Sequence, residues 1–100
     1  MNEYILLMHG DAVDQQAADD AEAWGHYLSG LRATGGFDGG SSISGGERLR
    51  KGLAPQAAAQ HITGFMRVRA ESLDAAKRFL QGNPVYEAGG TVEIRELPRD

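Results

Sequence analysis

The chain reads as an α+β protein, a ferredoxin-like βαββαβ sandwich with two helices on one face of an antiparallel sheet. Three observations predict this. EYILLMH near the N-terminus and HITGFMRVR from position 61 are short apolar or alternating runs of strand character. Apolar residues recur at helical spacing from position 21 to 31 and again from 73 to 80. Glycine pairs and an Asn-Pro step punctuate the segments, giving the order strand, helix, strand, strand, helix, strand.

The first strand runs from Glu3 to His9 and stops at Gly10-Asp11. Tyr4, Leu6 and Met8 point one way and Ile5, Leu7 and His9 the other, so it is expected at the sheet centre, covered on both sides. The first helix starts after Asp14, its expected N-cap, and ends near Arg32, with Gly35 as a left-handed C-cap. Ala21, Trp24, Leu28 and Leu31 form its buried stripe, widened by Tyr27. Asp19, Asp20 and Glu22 lie early in it, where the helix dipole favours negative charge. Gly25 costs about 1 kcal/mol relative to Ala inside a helix and is expected to permit close packing.

FDGGSSISGGERL follows as a short strand or hairpin arm, bulged or tightly turned at its glycines. APQAAAQ carries little pattern and reads as a loop or one helical turn. In the next strand Ile62, Gly64, Met66 and Val68 share a face, opposite Thr63, Phe65, Arg67 and Arg69. SLDAAKRFLQG is the second helix, capped by Ser72, with Leu73, Ala76, Phe79 and Leu80 buried. Gly82 closes it and Asn83-Pro84 prevents continuation. GGTVEIREL ends the series, its Val92 and Ile94 alternating with charges as an edge strand does.

One hundred residues predict one domain, 1–100, that buries only about 60–68% of its unfolded surface. The sheet face without helices carries apolar residues of the first strand, and such a face marks an interface. A homodimer packed through that open face is therefore expected. With 41% hydrophobic and 24% charged residues the chain is not disordered. A net charge of -4 and a pI near 5.3 argue against nucleic acid or an anionic membrane as partner. The one basic cluster, Arg48 to Lys51, reads as a solvated loop. No cysteine is present, which excludes thiolate chemistry and fits a cytoplasmic location, as does the lack of a basic leader or long apolar run.

The glycines of GGFDGGSSISGGE do not make a phosphate loop. A P-loop joins a strand to a helix and ends in Lys-Ser or Lys-Thr, and a dinucleotide fingerprint also joins a strand to a helix. Here the glycines follow a helix and no helix begins after them, so they are turn and bulge formers. Gly40, Ser41 and Ser42 still present hydroxyls and amides suited to a small anion. His9 and Asp11, at the end of the central strand, are the candidates for a general base and its orienting carboxylate. Trp24 and Tyr27 are candidate pocket walls, while His26 lies off the buried stripe. Three scattered histidines form no metal signature, and neither a metal nor a cofactor is expected.

YILLMHGD, WGHYLSGLRATGGFDGGSSI and SLDAAKRFLQGNPVYEAGGTVEIREL together resemble the YCII-related domain family over nearly the whole chain. The resemblance implies a ferredoxin-like subunit that forms a dimeric α/β barrel, with a small cleft between the first helix and the sheet. Some relatives are taken to be enzymes using a His-Asp pair whose His lies early in the first helix. The matching position here is Trp24, with His26 close by. The DGPF stretch of a large subgroup is absent, and APQAAAQHITGF occupies its place. Three readings stay open: a binder of a small metabolite, a lyase or hydrolase using His9 with Asp11, and a dimer that serves a protein partner.

Overall fold

A four-stranded antiparallel sheet forms around the N-terminal strand. The computed structural model describes residues 1–99. In chain order the elements are β1 (Asn2–His9), α1 (Gln15–Ala18), α2 (Ala21–Thr34), β2 (Phe37–Ser42), β3 (Glu47–Arg48), β4 (Gln56–Ala57), β5 (Ile62–Ala70), α3 (Leu73–Ala76), a 3-10 turn (Lys77–Leu80), α4 (Pro84–Glu87) and β6 (Val92–Leu97). The sheet order is β2-β5-β1-β6. Each neighbouring pair is antiparallel, which is the ferredoxin-like arrangement with β1 central and β6 at an edge.

Strand alternation decides where the core lies. Tyr4, Leu6 and Met8 of β1 and Met66, Val68 and Ala70 of β5 are buried beneath Ala18, Tyr27, Leu31, Ala76 and Val85 from the helical layer. On the other face Ile5 and Leu7 lie opposite Arg67 and Phe65, and only half-buried. Long side chains frame that face, with Arg67 on Glu3 at 3.2 Å and Arg95 on Glu93 at 3.7 Å. Within one chain, then, β1 is fully covered on one side only.

The acidic run starts a helix twice. The Asp14 side chain caps α1, accepting from the Ala17 amide at 3.1 Å. Asp20 then caps α2, accepting from the Glu22 and Ala23 amides at 2.9 and 3.3 Å. Two good caps six residues apart break the single expected helix into a turn and a 14-residue helix. Gly35 closes α2 at φ 75°. Gly25 faces open space, so it permits no close packing.

The second helix is shorter than its pattern. Ser72 caps α3, but after Ala76 the chain tightens into the 3-10 turn, and Leu73 remains 47% exposed. Asn83-Pro84 stops this segment and at once begins α4. Proline at the first helical position needs no amide partner, and Asn83 accepts from the Val85 and Tyr86 amides at 3.0 and 3.1 Å.

At the glycine pair, β2 bulges between Phe37 and Gly40. Gly39 takes φ 100°, and Gly40 presses against the main chain of Phe65 and Met66. Past Ser42 the chain leaves the sheet as an arm. β3 and β4 pair only with each other; β3 falls in the expected hairpin arm, and β4 in the stretch expected to hold a loop or one helical turn. The arm gives a radius of gyration of 14.8 Å, against about 13 Å for a compact domain of this length. No helix among the described residues is long and apolar enough to cross a membrane.

Candidate functional site

Between α2 and the β2–β5 side of the sheet lies a cavity of about 510 Å³. Trp24, Leu28 and Arg32 come from one side of α2, and Phe37 with Gly39 to Ser42 from β2. Thr63 to Met66 of β5, Met8 and His9 of β1, and Gln15, Ala18 and Asp19 around α1 complete most of the wall. A wider, more open trough of about 1080 Å³ runs along the opposite flank of α2, past His26, Tyr27 and Phe79. The smaller cavity has the aromatic walls and sparse polar groups of a small-molecule site.

Trp24 is held in place by a hydrogen bond from its Nε1 to the Ala18 carbonyl, 2.7 Å long. That bond ties α2 to α1 and fixes one wall. Its ring meets Tyr27 edge-on, with centroids 5.8 Å apart. The Arg32 guanidinium stands 5.9 Å from the centroid of the Phe37 ring and has no carboxylate partner among the described residues. Ser41 and Ser42 are exposed on β2, and the Ser41 hydroxyl donates to the Ser42 carbonyl at 2.9 Å.

Five of the residues singled out from sequence therefore border one cavity: His9, Trp24, Gly40, Ser41 and Ser42. Tyr27 lies elsewhere. It is 7% exposed, borders the trough, and its hydroxyl donates to the Phe79 carbonyl. Burial pushes its phenol above the ordinary value, so it stays neutral. His26 lies exposed on the trough side.

His9 and Asp11 do not form a hydrogen-bonded pair. Asp11 accepts from the Thr91 hydroxyl at 2.6 Å and from the Thr91 amide at 2.8 Å. These bonds, the hydroxyl first, lower its carboxyl below the ordinary value, and the neighbouring His9 contributes least. His9 Nε2 instead lies 3.1 Å from Glu93 Oε1, and its ring meets His61 edge-on at 5.1 Å. Glu93 carried a faint signal in sequence, as a charge alternating with the apolar residues of the last strand. Only the register that sets Leu7 opposite Glu93 brings it to His9. Arg32 and Phe37 were also missed as site residues, since nothing local marks a cavity wall.

The structure is similar to 5-chloro-2-hydroxyhydroquinone dehydrochlorinase (TftG) from Burkholderia phenoliruptrix AC1100, solved in complex with 2,5-dihydroxybenzoquinone. The TM-score is 0.57 over 98% of this chain and 95% of that one, with 14% sequence identity, a likeness of fold alone. A second structure, the Bacillus subtilis YXEP protein, a dinuclear metal-binding peptidase, aligns with 97% of this chain but 25% of its own. Its identity is 15% and its TM-score 0.38, too low to carry an argument. A search of curated proteins found no match. The family model of the YCII-related domain matches residues 1–99. The ferredoxin-like sheet and this match agree, and the chain belongs to the YCII-related domain family.

Proposed function

We propose that this chain is a small dimeric domain that binds a small planar metabolite in the cleft between α2 and the sheet. The observation that carries the reading is the cavity of about 510 Å³ walled by Trp24 and Phe37. That volume falls within the range of about 300–1,000 Å³ usual for small-molecule sites. Aromatic walls favour a flat ligand through offset or edge-on ring contacts. Arg32, Ser41, Ser42 and the nearby amides offer donors to its oxygens. Two subunits meet through the helix-free sheet face, around Ile5, Leu7 and Phe65.

The test is an amide NMR titration with 2,5-dihydroxybenzoquinone, the ligand of the structural neighbour, and with benzoate as a simpler planar acid. Binding is expected to move the Trp24 indole signal and the amides of Gly39 to Ser42, leaving His26 and Gly30 still. Shifts confined to the trough, or none with either compound, would sink the reading.

One observation favours a second reading, an enzyme. His9 borders the same cavity and is oriented by a carboxylate, Glu93 in place of the expected Asp11. A histidine held this way serves as a general base. The neighbour's reaction supplies an assay, chloride release from 5-chloro-2-hydroxyhydroquinone. Turnover that is abolished by His9→Ala and slowed by Glu93→Gln supports the enzyme; no release from the native protein removes this substrate from consideration.

A further inference from the structure

The arm formed by β3 and β4 is tied to its own sheet at its base, where the Ile43 amide donates to the Thr63 carbonyl at 2.9 Å, and packs on nothing beyond it. From Ile43 to Gln60 every residue except Ala58 is exposed, and the two strands pair only with each other. A lone two-stranded hairpin is at best marginally stable in water. This one carries Leu49 and Leu53 at 75% and 61% exposure, with Ile43 at its base. It is also basic in an acidic chain, with Arg48, Arg50 and Lys51 against Glu47 alone. None of the three cations has a carboxylate partner among the described residues.

The matching surface lies at the start of the helices. Asp14, Asp19, Asp20 and Glu22 are exposed, and no Lys or Arg occurs between residues 10 and 31. None of these four acids is ion-paired among the described residues, whereas Glu3, Asp38 and Glu93 of the sheet are. Asp19 and Gln15 also border the cavity. Asp20 and Glu22 border the open trough instead, so an occupant of the Gln15–Asp19 end of this edge also lies against the cavity wall. The ten residues from Ile43 to the turn at Gly52 reach at most about 33–36 Å, enough to cross to a neighbouring subunit. Their side chains stay exposed, so they do not pack on their own chain's edge.

We infer that the arm is a clasp exchanged between two copies of this chain. Arg48, Arg50 and Lys51 of one copy dock on the acidic α1–α2 edge of the other, and Leu49 and Leu53 lie over that copy's cavity mouth. The cavity is complete only in the assembly. The inference rests on the dimeric, ligand-binding reading above and names the segment that closes its site.

The lack of cysteine makes the test direct. Leu49→Cys and Gln15→Cys, in separate chains of different tag length, are mixed and oxidised. A mixed disulfide between the two tags is expected, and its yield is expected to fall about tenfold with Arg48→Glu/Arg50→Glu/Lys51→Glu. Adding Asp19→Lys/Glu22→Lys to the other chain should restore it. A disulfide formed within one chain carrying both cysteines, with none between chains, overturns the clasp. So does a missing disulfide in a protein that sediments as a dimer, but that result leaves the sheet-face dimer and the cleft standing. A protein that sediments as a monomer and shows no ligand-induced NMR shifts removes the underlying reading as well.

Discussion

A methyl group at Gly40 would sit 2.3 Å from the Phe65 carbonyl oxygen and 2.9 Å from the Met66 Cα, main-chain atoms that cannot step aside. Gly40→Ala is therefore expected to lower stability by about 1–3 kcal/mol in chemical denaturation. Gly45→Ala, with open space around it, should stay within about 0.5 kcal/mol. Equal effects would show that the bulge tolerates a side chain. At Asp11 the folded-state pKa lies below the ordinary 3.8, so its carboxylate stabilises the fold above that value. The contribution is lost as pH falls through the depressed folded pKa. Thr91→Val removes the strongest donor, so the Asp11 carboxyl should titrate closer to 3.8 by NMR. The stability difference between variant and parent should close as the pH falls below 3.8 and through the depressed folded pKa. A difference that persists unchanged at low pH would assign the bond no role.

Helix starts and stops follow local chemistry, and most were legible. Ser72 and Gly35 act as their residue types suggest, because a cap needs only its own side chain or a positive φ and the next few amides. Where the pattern misled, a second local signal competed. Asp20 offered another cap inside the helix expected to start after Asp14, and Pro84, read as a stop, is also a start. Asn83 is fully buried while capping α4, with its amide nitrogen unpaired. Asn83→Ala is expected to cost about 0.5–2 kcal/mol, and Asn83→Ser, which keeps an acceptor, clearly less. Thermal melts of the two variants check this, and equal losses would mean that packing rather than capping sets the cost.

For the whole molecule, the helix-free sheet face and the arm are separate surfaces with separate tests. Leu7→Glu places a charge beside Phe65 at the centre of that face. It is expected to convert a dimer to monomer in sedimentation equilibrium with the circular dichroism spectrum unchanged. A dimer of native stability would remove the sheet face from the interface. The sequence by itself determined the kinds and order of the main elements, the alternation that sets Met66 and Val68 on one face of their strand, and the role of the glycines as bulge and turn formers. Each of these follows from periodicity or backbone freedom over a few residues. Tertiary structure alone decided the partners of the site. His9 meets Glu93 from 84 residues away, and Asp11 meets Thr91 from 80. Both contacts depend on the antiparallel register between the first and last strands, which sums packing over the entire sheet and is written in no single motif. The cavity has the same origin, since Trp24 and Ser41 become neighbours of one space only when α2 settles across β2 and β5.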